Sequence, residues 1–163
     1  MIVLGIDPGT ATTGYGIVRR EGATPTLIEC GVIRTAASAT LAARLATIFD
    51  GVQALLAQHR PDAVAVEEAF LNKNVRTTLV LGHARGVILL AAQHAGVAIH
   101  EYSPATIKKA VVGTGVATKE QVQFMTAKIL RLKSAPAPAD AADGVAAALT
   151  CLLGARLPMV RPL

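Results

Sequence analysis

Ile2-Val3-Leu4-Gly5-Ile6-Asp7-Pro8-Gly9-Thr10 decides the architecture: an apolar run of strand length ends on a carboxylate and then breaks at a Pro-Gly turn. A strand that buries its residues and then presents an acid sets that acid at the end of a sheet, where open α/β folds build their sites. Two other segments repeat the pattern. Val64-Ala65-Val66-Glu67-Glu68 is again an apolar run closing on acid, and Asp140-Ala141-Ala142-Asp143 opens an Ala-rich helical stretch. Three separate segments marked by carboxylates point to one hard-cation site.

At 163 residues the chain is long enough for one well-buried core and short for two ordinary domains. A hydrophobic share of 52% against 17% charged residues excludes a disordered chain, and with 3% aromatic residues the core must be packed by Ala, Val, Leu and Ile. Cys30 and Cys151 are far apart and belong to no Cys/His cluster, so both read as small core residues in a reducing compartment. The N-terminus has no basic region with a cleavage site, and no uninterrupted apolar run reaches the ~18 residues of a membrane span. We therefore expect a soluble cytoplasmic protein with no membrane partner.

The net charge is +5, from 16 Lys and Arg against 11 Asp and Glu. If Asp7, Glu67, Asp140 and Asp143 converge on metal, 16 basic side chains face seven acids over the rest of the chain. A local acidic pocket within a basic surface is the footprint of a protein that holds a polyanion while binding cations.

The first 34 residues read as a meander of three strands, Ile2 to Ile6, Gly14 to Arg20 and Thr26 to Arg34, linked at Pro8-Gly9 and Glu21-Gly22. A helix from about Thr40 to Gln58 carries Leu41, Leu45, Ile48, Val52 and Leu55 at helical spacing, and Arg60-Pro61-Asp62 ends it. Ala63 to Glu67 is a short strand, Phe70 to Asn74 a polar loop, Val75 to His94 a second helix and Val97 to Tyr102 a fifth strand. Ser103-Pro104 starts a short helix that ends at Gly113, and Thr118 with Gln121 fits a capping box opening a helix to about Leu132. After the Pro/Ala-rich stretch 134–138 a last helix runs from near Asp140 to Leu153. The order describes an α/β fold, a mixed five-stranded sheet flanked by helices, with right-handed crossovers leading into its last two strands. It is the order of an RNase H-like fold. We expect one domain over residues 1–156 and a C-terminal tail over 157–163.

Asp140 and Asp143 lie three apart in a first helical turn, about 60° from each other around the axis, so both carboxylates can face one target. Oxygen ligands without paired His or Cys select Mg²⁺ or Mn²⁺ over zinc. Four carboxylates suit two ions about 4 Å apart that clamp a phosphodiester, one activating the attacking water and the other easing departure of the 3′ oxygen. Hydrolysis of a nucleic-acid backbone fits both the acidic pocket and the basic remainder.

Gly5-Ile6-Asp7-Pro8-Gly9-Thr10 followed by Thr13-Gly14-Tyr15-Gly16 resembles the opening of RuvC-type Holliday junction resolvases. Ala65-Val66-Glu67-Glu68-Ala69-Phe70, Lys73-Asn74 and Leu81-Gly82-His83-Ala84-Arg85-Gly86 resemble the family's central motif, while Ile107 to Gly113 and Asp140 to Ala146 resemble its last two. The motifs stand in order over residues 1 to about 153. The resemblance implies a homodimeric, magnesium-dependent crossover junction endonuclease that nicks two strands of a four-way DNA junction symmetrically and leaves 5′-phosphate and 3′-hydroxyl ends. It also implies the RuvA-RuvB branch-migration complex as partner. The family's metal ligands fall on Asp7, Glu67, Asp140 and Asp143, and its catalytic-region lysines on Lys108 and Lys119. Glu67 is preferred over Glu68 because it follows the apolar strand directly, as the family's acid does.

Phe70, between an acidic strand end and the polar stretch 71–74, is placed to stack on an unpaired base. Lys73, Arg76 and Lys109 are candidate phosphate contacts beside Lys108 and Lys119. His59, His83, His94 and His100 have no ligand spacing and read as structural. Two rivals share features with this reading. Asp-x-Gly-Thr also resembles the first phosphate loop of actin-type and sugar-kinase ATP-binding modules, which need a second such loop and about twice the length. A small RNase H-like nuclease acting on RNA is the other.

Overall fold

The computed structural model describes residues 1–68 and 74–154. The strands are β1 (Ile2–Asp7), β2 (Thr12–Glu21), β3 (Thr24–Arg34), β4 (Ala63–Glu67) and β5 (Ala98–Tyr102). The helices are α1 (Leu41–His59) between β3 and β4, α2 (Val75–His94) between β4 and β5, then α3 (Pro104–Val112), α4 (Lys119–Ile129) and α5 (Ala139–Leu153). One mixed sheet has the order β3-β2-β1-β4-β5, antiparallel from β3 to β1 and parallel from β1 through β4 to β5. This is the expected five-stranded architecture.

Several boundaries differ from the sequence expectation. The β2–β3 hairpin extends to Glu21 opposite Thr24, closed where Gly22 takes φ +71°, and β2 reaches back to Thr12, paired with Arg34. α4 stops at Ile129 rather than Leu132, because Arg131 adopts a left-handed φ of 55°. Four helices begin on the caps that their sequences advertise: Thr40, Asn74, Ser103 and Thr118 each accept a backbone N–H with the side chain, and Thr118 and Gln121 complete the capping box. α5 begins after Pro138 with no side-chain cap and places Asp140 in its first turn, where the helix dipole favours an acid.

The two sides of the sheet are packed by different residues. Toward α3, α4 and α5, the inner strands offer Val3, Val18, Ala63 and Ala65 together with Gly5, Gly14 and Gly16; toward α1 and α2 they offer Leu4, Ile6, Ile17, Val64 and Val66. The alternation has the strand period of two, with both faces buried, so β1 and β4 read as unbroken apolar runs. On the first side α5 lies almost in backbone contact with β1 and β2. A Cβ on Gly14 would overlap the Asp140 carbonyl, and one on Gly144 would come within 2.7 Å of the Tyr15 Cα.

α2 departs from expectation in one respect. Its 20 residues, with a mean hydropathy of 1.3 over the most apolar window, are long and apolar enough by length and composition to cross a membrane. Thr77, Thr78, Gly82, His83, Arg85 and Gly86 break it into short apolar runs, and the Val, Leu, Ile and Ala residues between them keep the average high. In this fold Ala84, Ile88, Ala91 and Ala92 are buried in the core it shares with α1 and the sheet, while Val75, Leu79 and Leu90 are exposed.

Candidate active site

Asp7 is the last residue of β1, Glu67 the last of β4, and Asp140 and Asp143 lie in the first turns of α5. The glycine seam makes this convergence possible: with no Cβ on Gly14 or Gly144, the start of α5 settles onto β2 and its acids reach the end of β1. One carboxylate oxygen from each of Asp7, Asp140 and Asp143 lies within 4.8 Å of the others. Glu67 stands outside that tight triple and shares a cavity of about 270 Å³ with Asp7 and Asp143. Lys108 from α3 and Lys119 from α4 line the same cavity, with Ile107 and Val122 among its apolar walls.

The turn that follows Asp7 is held from three directions. Buried Thr13 donates its hydroxyl to the Gly9 carbonyl at 2.6 Å, Thr35 donates its own to the Thr10 carbonyl at 2.5 Å, and Arg44 Nε donates to Thr10 O at 3.2 Å and to Thr35 Oγ1 at 2.9 Å. Such bonding holds the Asp7 carboxylate in place before any ligand arrives.

Burial is the main cause of the site's electrostatics. It pushes Asp7 up to about 8, with the negative charges of Glu67, Asp143 and Asp140 adding to the shift and Lys119 opposing it. Glu67 rises to about 7, again mainly through burial and then Asp143, while Lys119 and Lys108 pull it back. Asp143 is also raised by burial, moderated by Lys119, whose ammonium donates to Asp143 Oδ2 at 2.6 Å. That bond raises the Lys119 pKa in turn. Acids crowded and desolvated to this degree hold protons near neutrality unless a cation takes their place. A set made wholly of carboxylate oxygen fits a hard divalent ion.

The other sequence candidates separate. Glu68 is exposed, its backbone N–H donating to the Tyr102 carbonyl at 2.9 Å, whereas Glu67 lines the cavity. Lys108 is half-buried and Lys109 exposed on α3, and Arg76 is exposed in the first turn of α2. Phe70 and Lys73 lie outside the described residues. His59 meets Glu29 at 3.1 Å, His94 packs edge-on to Phe49 and His100 stacks on Tyr102, while His83 is exposed on α2. None of them joins the acid cluster. Cys30 is half-buried and Cys151 buried, and both are free thiols.

Sequence reasoning missed the glycine seam and the ion pair between Lys119 and Asp143. Gly14 and Gly144 each stand within two residues of a motif's key positions, yet spacing along the chain gives no sign that they meet across it.

Comparison with known proteins agrees with this geometry. A relative from Heliobacterium modesticaldum, named crossover junction endodeoxyribonuclease RuvC, is 50% identical over 151 residues, covering 93% of each chain. The solved structure of Thermus thermophilus RuvC superposes with a TM-score of 0.90 at 39% identity over the whole of both chains. The T. thermophilus protein in complex with Holliday junction substrate gives 0.87 at 38% identity over 96% of each. The family profile described as crossover junction endodeoxyribonuclease RuvC matches residues 3–151. With its acids on the ends of β1 and β4 and the start of α5, this chain belongs to the RuvC family of crossover junction endodeoxyribonucleases.

Proposed function

We propose that this chain is a structure-selective endonuclease that resolves four-way DNA junctions by paired, symmetric nicks in recombination and repair. The observation that carries the reading is the convergence of Asp7, Asp140 and Asp143 within 4.8 Å, in a chain 50% identical to a named junction endonuclease. Asp7, Asp140 and Asp143 would hold one divalent ion, and Glu67, from the same cavity, would complete a second position with Asp7. Mg²⁺ is the expected ion and Mn²⁺ its substitute. When bound, such ions supply water activation and neutralisation of phosphate charge.

The chain's own residues do the rest. Water oxygen forms a bond to phosphorus as the bond from phosphorus to the 3′ oxygen breaks, the 3′ oxygen takes a proton, and the phosphate stays on the 5′ end. Negative charge grows on the phosphate through this step, and Lys108 and Lys119 place two ammonium groups in the cavity where it grows. Lys109, Arg76, Lys73 and Phe70 would hold the flanking DNA, the cations on phosphate and the ring against an unpaired base.

A junction offers two equivalent strands, so two sites related by a twofold axis match the substrate. The outer face of α2 supports a homodimer. Leu79 and Leu90 are 60% and 48% exposed there, and Gly82 and Gly86 have open space where a Cβ would stand. Each mid-helix glycine costs about 0.5–1 kcal/mol relative to Ala, a cost that close approach of a partner helix offsets. The enzyme would act in the cytoplasm as one nuclease domain of residues 1–156 with a tail over 157–163, and would take junctions from the RuvA-RuvB complex. Incubating the protein with a synthetic four-way junction in Mg²⁺ and mapping the ends tests the activity. Uncut junctions, or turnover of ATP in their place, would overturn it.

A further inference from the structure

We propose that Arg85 is a positioning residue for the acid cluster: its ion pair with Glu101 fastens α2 to the end of β5 and, through β5, to the strand end that carries Glu67. The inference rests on the reading of the chain as a metal-dependent junction nuclease. Arg85 Nη2 bonds Glu101 Oε2, and the two side chains are 33% and 19% exposed, so solvent screens the pair less than it would a surface contact.

Glu101 stands in register with Val66, and the next pair along the ladder is Glu67 with Tyr102. The ladder is closed beyond that point by the Glu68 N–H on the Tyr102 carbonyl. β5 is the outermost strand on this side of the sheet, with β4 as its one sheet neighbour. β1 holds one edge of β4 as far as Val66 and β5 holds the other as far as Glu67, so the end of β5 is one of the two rails that place Glu67, and α2 packs against that strand through Arg85.

A second observation sets Arg85 apart from an ordinary brace. Its Nε is buried with no hydrogen-bond partner among the described residues. A buried donor left unpaired costs about 1–3 kcal/mol, so the guanidinium is not placed where it would stabilise the fold most. Its planar fork reaches Glu101 from a helix position beside the fully buried Ala84 and Ile88, and a flexible lysine would fix the geometry less well. Arg85 also adjoins Gly86 on the helix proposed to meet the second copy. A shift of α2 on dimerisation would thus reach Glu67 through this pair.

The test compares wild type with Arg85→Ala, Arg85→Lys and Glu101→Gln. Mn²⁺ binding to the free protein is read from loss of the free-ion EPR signal, junction affinity is measured in Ca²⁺, and strand scission is followed under single turnover. Arg85→Ala and Glu101→Gln should weaken Mn²⁺ binding and slow scission by roughly tenfold each while junction affinity stays within about twofold of wild type, and Arg85→Lys should recover part of both losses. A folded Arg85→Ala with wild-type Mn²⁺ binding and rate would reduce the pair to a structural brace. If Arg85→Ala does not fold, wild-type behaviour of both Arg85→Lys and Glu101→Gln overturns the proposal. A wild type that neither binds Mn²⁺ nor cuts junctions would remove the nuclease reading itself, and the proposal with it.

Discussion

The two faces of the sheet solve opposite problems. Toward α5 the strands carry Gly5, Gly14, Gly16, Ala63 and Ala65, so helix and strand backbones nearly touch; toward α1 and α2 they carry Leu4, Ile6, Ile17, Val64 and Val66, which interdigitate as an ordinary core. Backbone contact leaves little room for adjustment, and it is the face that must hold acids from a strand end and a helix start within 4.8 Å. Side-chain packing is more forgiving, and that face leaves the outside of α2 free for a partner. The acids sit where packing is rigid, and the exposed residues of α2 lie on the side where it is not.

The sharpest way to break the comparison is to strike the acids on the rigid face. Asp7→Asn, Glu67→Gln, Asp140→Asn or Asp143→Asn should each slow single-turnover scission by roughly 10²–10³-fold or more, with junction binding in Ca²⁺ unchanged or tighter because a carboxylate that repels phosphate is gone. Glu68→Gln should cut normally, and the reverse outcome for Glu67 and Glu68 would move the site to the neighbouring residue. Next in size, Lys108→Ala and Lys119→Ala should slow scission roughly 10–100-fold, more than they weaken binding, since their charge acts on the transition state. Equal losses in both would make them docking contacts.

One substitution made on both sides sharpens the contrast. Gly14→Ala places a methyl against the Asp140 carbonyl and should destabilise the fold by about 1–3 kcal/mol in urea melts while disturbing α5. Gly82→Ala meets open space and should stabilise the monomer by about 0.5–1 kcal/mol while weakening self-association in sedimentation. Shifts of the same sign at both positions would mean that the faces do not differ in this way.

How much of this was legible in the sequence follows from what each feature depends on. β1, β4 and the four acids were readable because an apolar run ending on a carboxylate is a local pattern, and so were the caps at Ser103 and Thr118. The choice of Glu67 over Glu68 followed from its place directly after the apolar strand, where the family's acid stands. The glycine seam, the Lys119 bond to Asp143 and the Arg85 pair with Glu101 were not readable, since each joins residues whose approach depends on how whole elements stack. The division of α2 into a buried line through Ala84 and Ile88 and an exposed line through Leu79 and Leu90 was half readable. Its apolar residues were plain, but Gly82 and Gly86 look neutral until the space before them is seen.

A smaller effect concerns pH. Asp7 rises from 3.8 to about 8 in the folded chain and Glu67 from 4.5 to about 7, so the metal-free fold keeps protons that the unfolded chain has lost. Its stability should therefore be full below about pH 4 as far as these two groups are concerned, and fall as pH rises through 7 and 8. Thermal melts in chelator from pH 5 to 8 should show a declining Tm that Mg²⁺ restores and that Asp7→Asn flattens. A Tm that rises over that range and is indifferent to Asp7→Asn would show that the acids are not coupled as described.

The central claim is tested most directly by single-turnover cleavage of a synthetic four-way junction by the wild-type protein in Mg²⁺, in Ca²⁺ and in excess chelator, with the ends of both strands mapped. The account predicts paired symmetric nicks with 5′-phosphate and 3′-hydroxyl ends in Mg²⁺, binding with little cutting in Ca²⁺ and none in chelator. Robust cutting in chelator, or intact junctions in Mg²⁺, would contradict it.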